Sequence, residues 1–184
     1  MKIVNMFISI YELNKDGSKG KLIQEQPGNS FTEIMNFGFY GALSGGVAAR
    51  KDTGGTSRNT VGALGDIAGA SGADTRGLVV GTGTNAVTIA DYALQTKIAH
   101  GISAGQLQYG SHTFIAPVTT GSNNDWYASR SFTNGSGGSI TVNEIGIYYY
   151  ASYYFLLERT KLASGYACAD LAGFVLQYRF RVTV

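Results

Sequence analysis

The chain of 184 residues carries one cysteine, Cys168, so it can form no internal disulfide and has too few thiols for a zinc cluster. A lone cysteine of this kind reads as a small buried apolar residue. Histidine is nearly as scarce: His100 and His112 are the only two, and neither stands in a metal-ligand spacing such as His-Glu-x-x-His. No metal site is expected. Charged residues make up 14% of the chain, against about 25% in ordinary soluble domains. The net charge of +2 and its scattered basic residues are too weak a footprint for a nucleic-acid binder. Long apolar runs are also missing, so no membrane span is expected. The opening run from Met1 to Tyr11 is broken by Asn5 and Ser9, and no small-residue cleavage site follows it. The expectation is therefore a chain without a signal peptide, made in the cytoplasm and retained there unless it is built into something exported.

Catalytic signatures are lacking too. There is no Gly-x-Ser-x-Gly elbow. Gly81-x-Gly83 lacks the third glycine of a dinucleotide fingerprint, and no Gly-Lys-Ser/Thr follows it. Asp and Glu total twelve and are spread singly, which offers no obvious carboxylate pair. Nothing in the pattern brings Cys168 to a histidine as a nucleophile pair. The reading is a protein that is not an enzyme, with no catalytic, cofactor-binding or metal-ligating residues.

Glycine (26), tyrosine (12) and phenylalanine (9) are abundant. A surface poor in charge and rich in Tyr, Gly, Ser, Thr and Asn suits a protein whose exterior is covered by neighbours, although an unusually polar, uncharged β protein would share that composition. The length predicts one domain, large enough to bury about 70% of its unfolded surface.

Along the chain, Ile3 to Leu13 alternates as a strand whose cleaner apolar face is Val4, Met6, Ile8 and Ile10. The turn cluster Asn14 to Gly20 leads to a partner strand from Leu22 to Gln26, stopped by Pro27-Gly28. Ser30-x-x-Glu33 is a capping box that places a helix from about Ser30 to Leu43, with Phe31, Ile34, Met35, Phe39 and Ala42 at helical spacing and Leu43 beside Phe39. From 45 to 77 glycine recurs without sustained periodicity. This segment is expected to be an inserted arm or loop, and Asp52-Thr-Gly-Gly-Thr-Ser-Arg58 is its most turn-like part. Leu78 to Thr84 is a short buried strand and turn, and Thr88 to Leu94 a short helix with Ile89, Tyr92 and Ala93 inward.

The remainder reads as strands: Ile98–Ile102, Gln106–Val118, Trp126–Phe132, and a final strand with Phe174, Leu176, Tyr178, Phe180, Val182 and Val184 on one face. Arg179 and Arg181, on its other face, read as solvated charges that discourage edge pairing. Tyr148-Tyr-Tyr-Ala-Ser-Tyr-Tyr-Phe155 cannot hide all of its aromatics on one side of a strand pair. Exposed tyrosines favour a subunit interface or a sugar-stacking platform, with cross-strand packing as the plainer alternative.

The organising stretch is Phe132-Thr-Asn-Gly-Ser-Gly-Gly-Ser-Ile-Thr-Val-Asn-Glu-Ile-Gly-Ile-Tyr-Tyr149. Two β-rich runs flank Asn134-Gly-Ser-Gly-Gly138, so the simplest expectation is a hairpin. Ile140 and Val142 share one parity, and Ile145, Ile147 and Tyr149 the other. A bulge near Asn143-Glu144 would turn all five to one core, leaving the Glu144 carboxylate to accept main-chain N–H groups in a structural role.

That stretch, with Gly81-Thr-Gly-Thr-Asn-Ala-Val-Thr-Ile-Ala-Asp-Tyr-Ala-Leu94 upstream and the Val-x-Tyr-x-Phe-x-Val strand at the end, resembles virion structural proteins of tailed bacteriophages. The resemblance runs from about Leu78 to Val184. It implies a β-rich structural protein of the capsid or tail, in decoration, tail or baseplate, that assembles with copies of itself and with other virion proteins.

The combined expectation is a mainly antiparallel β-sandwich of about eight strands with one substantial helix, forming a closed homo-oligomer in the virion. Candidate interface residues are Arg50, Asp52 and Arg58 in the glycine-rich segment and Trp126, Tyr148, Tyr150 and Tyr153 on the aromatic face. A carbohydrate-binding sandwich, with the same tyrosines stacking on a host-surface glycan, is the second reading.

Overall fold

In a computed structural model, residues 2–28, 31–61 and 65–183 are described. They form ten strands and one helix: β1 (Lys2–Leu13), β2 (Lys19–Gly28), α1 (Glu33–Ser44), β3 (Val47–Lys51), β4 (Ser57–Val61), β5 (Gly77–Gly81), β6 (Gln108–Thr120), β7 (Asn123–Thr133), β8 (Ile140–Ala151), β9 (Tyr153–Cys168) and β10 (Gly173–Thr183). A five-stranded sheet has the order β2-β1-β10-β7-β6, a three-stranded sheet the order β5-β8-β9, and β3 and β4 make a separate ribbon. Every strand pairing is antiparallel. The protein is a mainly antiparallel β fold in which the two larger sheets share one core.

Strand alternation sets the inner face of the large sheet. Met6, Ile8 and Ile10 of β1 lie beside Phe174, Leu176 and Tyr178 of β10, and all six are buried. Each such apolar side chain is worth about 1.5–3 kcal/mol when fully buried. Val4 and Val184, also expected on this face, lie outside the residues whose side chains are described. β10 is no edge strand: β1 pairs with one side and β7 with the other, so Arg179 and Arg181 are not edge guards.

The small sheet is built round β8, which is buried on both faces from Glu144 to Tyr149. The expected slip of register is present between Val142 and Glu144, where β9 makes a longer excursion. It brings Ile140, Val142, Ile145 and Ile147 into the main core. A second slip, between Ile147 and Tyr148, was not legible. It turns Tyr148 into that core and sends Tyr149 to a smaller cluster with Phe155.

Asn134-Gly-Ser-Gly-Gly138 does not close a hairpin. β7 belongs to the large sheet and β8 to the small one, so this turn carries the chain from one sheet to the other. The link from β9 to β10 crosses beside it, because Phe132 pairs with Phe174 while Ile140 pairs with Cys168. Asn134 ties the two crossings together. Its Nδ2 donates to Gly138 O at 2.8 Å and Cys168 O at 2.9 Å, and its main-chain N–H donates to Ala172 O.

The helix runs from Glu33, and Ser30 of the expected capping box lies outside the described residues. Thr32 precedes it and spends its hydroxyl on Leu156 O at 2.7 Å, which pins the helix entry to β9. Ile34 and Phe39, two members of the expected stripe, have side chains outside the description. Leu43 is 87% exposed and Tyr40 55%, so the end of the helix lies open. Residues 88–94 form no helix. Asp91 accepts the Thr88 N–H and hydroxyl, as at a helix start, but the Leu94 and Gln95 N–H groups are taken by Tyr148 and Glu144, so no helix follows and Ile89 is exposed. Residues 98–102 make only an isolated bridge at His100. Among the described residues no helix is long and apolar enough to cross a membrane.

Candidate functional site

Two places bring chemistry-bearing side chains together. In the first, the two sequence motifs meet. The fully buried Glu144 carboxylate accepts main-chain N–H groups from Gly83 (3.1 Å), Gln95 (3.0 Å) and Thr96 (2.7 Å), and Arg159 Nε–H at 2.7 Å. Arg159 then donates to Asp91 at 2.8 Å through Nη1, and to Asn85 O through Nη2. Gly81 and Gly83 are required by proximity: a Cβ would stand 2.6 and 2.4 Å from Glu144 Oε1. The Tyr148 hydroxyl accepts the Leu94 N–H at 2.8 Å, and burial pushes the phenol up to about 12. A cleft of about 370 Å³ opens above this network, lined by Asn85, Thr88, Tyr92 and Gln95 with Arg159 and Asp91. Its guanidinium and carboxylates are already spent on one another and on the main chain, so the network holds a loop to a sheet.

The second place is the end of the β8–β9 hairpin, which turns at Ser152 with φ 65°. Tyr150, Tyr153 and Tyr154 are 40%, 39% and 37% exposed. The Tyr150 and Tyr154 rings lie 5.1 Å apart. Arg58 lies over the Tyr153 ring at 4.2 Å and Arg76 over Tyr150 at 6.0 Å, contacts that favour a cation near the face of a ring. The glycine-rich segment supplies both cations. Asp52 accepts the Gly54 and Thr56 N–H groups and so folds the β3–β4 turn. Its other oxygen takes Arg58 at 2.7 Å, which holds the carboxyl below the usual carboxylate range. Thr53 N–H donates to Tyr154 O, which fixes the turn against β9.

Of the candidate interface residues, Arg58, Tyr150 and Tyr153 gather at this end. Arg50, Asp52 and Tyr148 are buried inside the chain and present no free surface. Arg50 donates to the Tyr149 hydroxyl and lies 5.0 Å from the Phe155 ring centroid, so the β3–β4 ribbon is anchored to its own chain. Trp126 stands elsewhere, stacked on Phe180 at 4.0 Å in the large sheet. Tyr154 and Arg76 complete the patch. The first belonged to the aromatic run already noted, whereas nothing in the sequence marked the second.

The second half of the glycine-rich segment also lies against its own chain. Buried Arg130 donates to Gly110 O, Arg76 O, Leu78 O, Ala70 O and Ala73 O over 2.6–3.2 Å. Burial lowers this guanidinium to about 10. His112 accepts the Leu78 N–H at Nε2 and meets Gly69 O at Nδ1, both at 2.8 Å, which assigns a neutral ring protonated on Nδ1. Burial takes it down to about 4. Among the described residues no group of three or more His, Cys, Asp or Glu could hold a metal ion. No family model matches the chain, and neither curated proteins nor solved structures offer a match.

Proposed function

We propose that the chain is a structural protein of a tailed-phage virion and works through contacts between copies at the exposed end of β8 and β9. The observation that carries this reading is the tyrosine patch at the β8–β9 turn, with Tyr150, Tyr153 and Tyr154 exposed beside Arg58 of β4 and Arg76 just before β5. Tyrosine supplies a large contact area at low entropic cost, and aromatic and arginine anchors dominate protein interfaces. The sequence motifs behind the resemblance support the same reading, since their Gly, Asp and Glu residues are engaged in holding the fold.

Sedimentation velocity over a range of concentrations, with negative-stain electron microscopy, tests the proposal. Closed oligomers or tubes are expected, and Tyr150→Ala with Tyr153→Ala should weaken association at least tenfold while the far-UV spectrum is kept. A monomer at every concentration, alone and with other virion proteins, would overturn it. The second reading, glycan stacking on the same rings, is favoured by their half exposure side by side. It predicts glycan-array binding that Tyr153→Ala abolishes without a change in oligomeric state.

A further inference from the structure

The cleft of about 370 Å³ above the Glu144–Arg159 network has a floor that is spent and a rim that is not. Residues 82–96, which form most of it, are tied down at several points. The Thr82 N–H donates to Thr96 O at 2.9 Å, the Asn85 N–H to Gln95 Oε1 at 2.8 Å, and the Glu33 N–H of α1 to Ile89 O at 3.0 Å. A loop fixed in this way loses little further freedom when something binds to it. Tyr92 at its edge is braced as well: the Lys51 ammonium lies 5.5 Å from its ring centroid, and a Cβ on Gly55 would stand 3.3 Å from the ring.

Within that frame the polar side chains of Asn85, Thr88, Tyr92 and Gln95 line the cleft and are exposed. Gln95 uses its oxygen on the Asn85 N–H, but among the described residues nothing accepts from the amide hydrogens of either side chain, and nothing bonds the Tyr92 hydroxyl. The Thr88 hydroxyl donates to Asp91 at 2.9 Å and keeps its acceptor lone pairs. Asp91 and Arg159, the charged residues of the lining, neutralise one another at 2.8 Å. The lining thus offers amide donors, oxygen acceptors and one aromatic wall, without a free charge.

We infer that this cleft binds a single neutral sugar ring, with Asn85 and Gln95 hydrogen-bonding its hydroxyls and Tyr92 against its C–H face. A pyranose suits the set: its hydroxyls both donate and accept, as carboxamides do, and its C–H groups gain from an aromatic wall. An ion would find no uncommitted partner in the lining, and a purely apolar ligand would strand the amides. The volume lies at the lower end of ligand pockets, about 300–1,000 Å³, and suits one ring in place of a chain. The site shares no lining residue with the tyrosine patch at the β8–β9 turn, and it stands whether or not that patch joins copies.

The test is an NMR titration of the full chain with four neutral pyranosides, methyl α-glucoside, methyl α-mannoside, methyl β-galactoside and methyl N-acetyl-β-glucosaminide, and with glycerol as a triol that has no ring. Saturable shifts of the Asn85, Tyr92 and Gln95 amides are expected with at least one pyranoside at a Kd of about 1–10 mM, and no saturable shift with glycerol. Asn85→Ala removes the carboxamide yet keeps the main-chain groups that serve Arg159 and Gln95, and Tyr92→Ala removes the wall. Each should weaken binding at least tenfold while the melting temperature is unchanged, and Tyr153→Ala should bind as wild type does. No saturable shift with any of the four, an equal response to glycerol, or wild-type affinity in either cleft variant overturns the inference. Loss of binding in Tyr153→Ala would move the sugar to the tyrosine patch and overturn it too.

Discussion

Two buried carboxylates, both in the small sheet, behave in opposite ways because of their neighbours. Glu144 has a cation and three main-chain donors, whereas the fully buried Glu158 has, among the described residues, the Tyr178 and Thr160 hydroxyls. Glu144→Gln leaves Arg159 without its buried partner, and chemical denaturation should show a loss of about 3–5 kcal/mol. A loss under about 1 kcal/mol would mean that the pair holds nothing. Burial raises Glu158 from 4.5 to about 8. An acid raised on folding contributes fully below its unfolded value and loses that contribution as pH rises through its folded value. This group's contribution should therefore fall between pH 4.5 and pH 8 by on the order of a few kcal/mol, and Glu158→Gln should remove the decline in stability between pH 6.5 and pH 8. An unchanged decline above pH 6.5 in that variant would sink the assignment. Glu144 was legible in the sequence because the apolar phase slips beside it. Arg159 was not: Leu157-Glu-Arg-Thr160 looks like solvated charge until residues 82–96 are laid over it.

At the scale of elements, strand faces were readable wherever one side is buried. The inner faces of β1 and β10 follow from alternation alone. Partners were less readable than faces. Asn134 to Gly138 has the composition of a hairpin turn, but nothing local says that the next strand leaves for another sheet. The helix expected from Thr88 to Leu94 is absent: the Asp91 carboxylate serves Thr88 and Arg159, and the Leu94 and Gln95 N–H groups go to Tyr148 and Glu144 instead of to preceding carbonyls. The glycine-rich segment has few apolar residues, so its anchorage comes from Arg50 and Arg130, whose burial no pattern announces. Arg130→Met should release residues 69–78 from the large sheet. Hydrogen exchange there should quicken by at least about tenfold while β1 and β10 remain protected. Equal protection in the variant would show that His112 and the strand contacts suffice.

For the whole molecule, the titrating groups divide the pH scale. His112, lowered from 6.5 to about 4 by burial, must be neutral to accept the Leu78 N–H. It contributes above pH 6.5, and that contribution is lost as pH falls toward 4. Glu158 acts in the reverse direction, so the two oppose one another between about 4.5 and 6.5. Melting temperature should be nearly flat there and decline from 6.5 to 8. His112→Gln should convert the flat region into a steady fall with rising pH, and a curve identical to wild type would refute the scheme.

The middle strand of the large sheet, β10, follows every other strand among the described residues, yet it alone joins the β1–β2 half to the β7–β6 half. The contact order of that sheet is therefore high, and its closure is slow compared with local hairpin formation. During synthesis two separate hairpins must wait with open edges until residues 173–183 clear the ribosome, a window in which they are exposed to mispairing. A chain cut before Gly173 would lack the strand that welds the sheet. Closure of the sheet and assembly of the outer face around β10 thus become a single event.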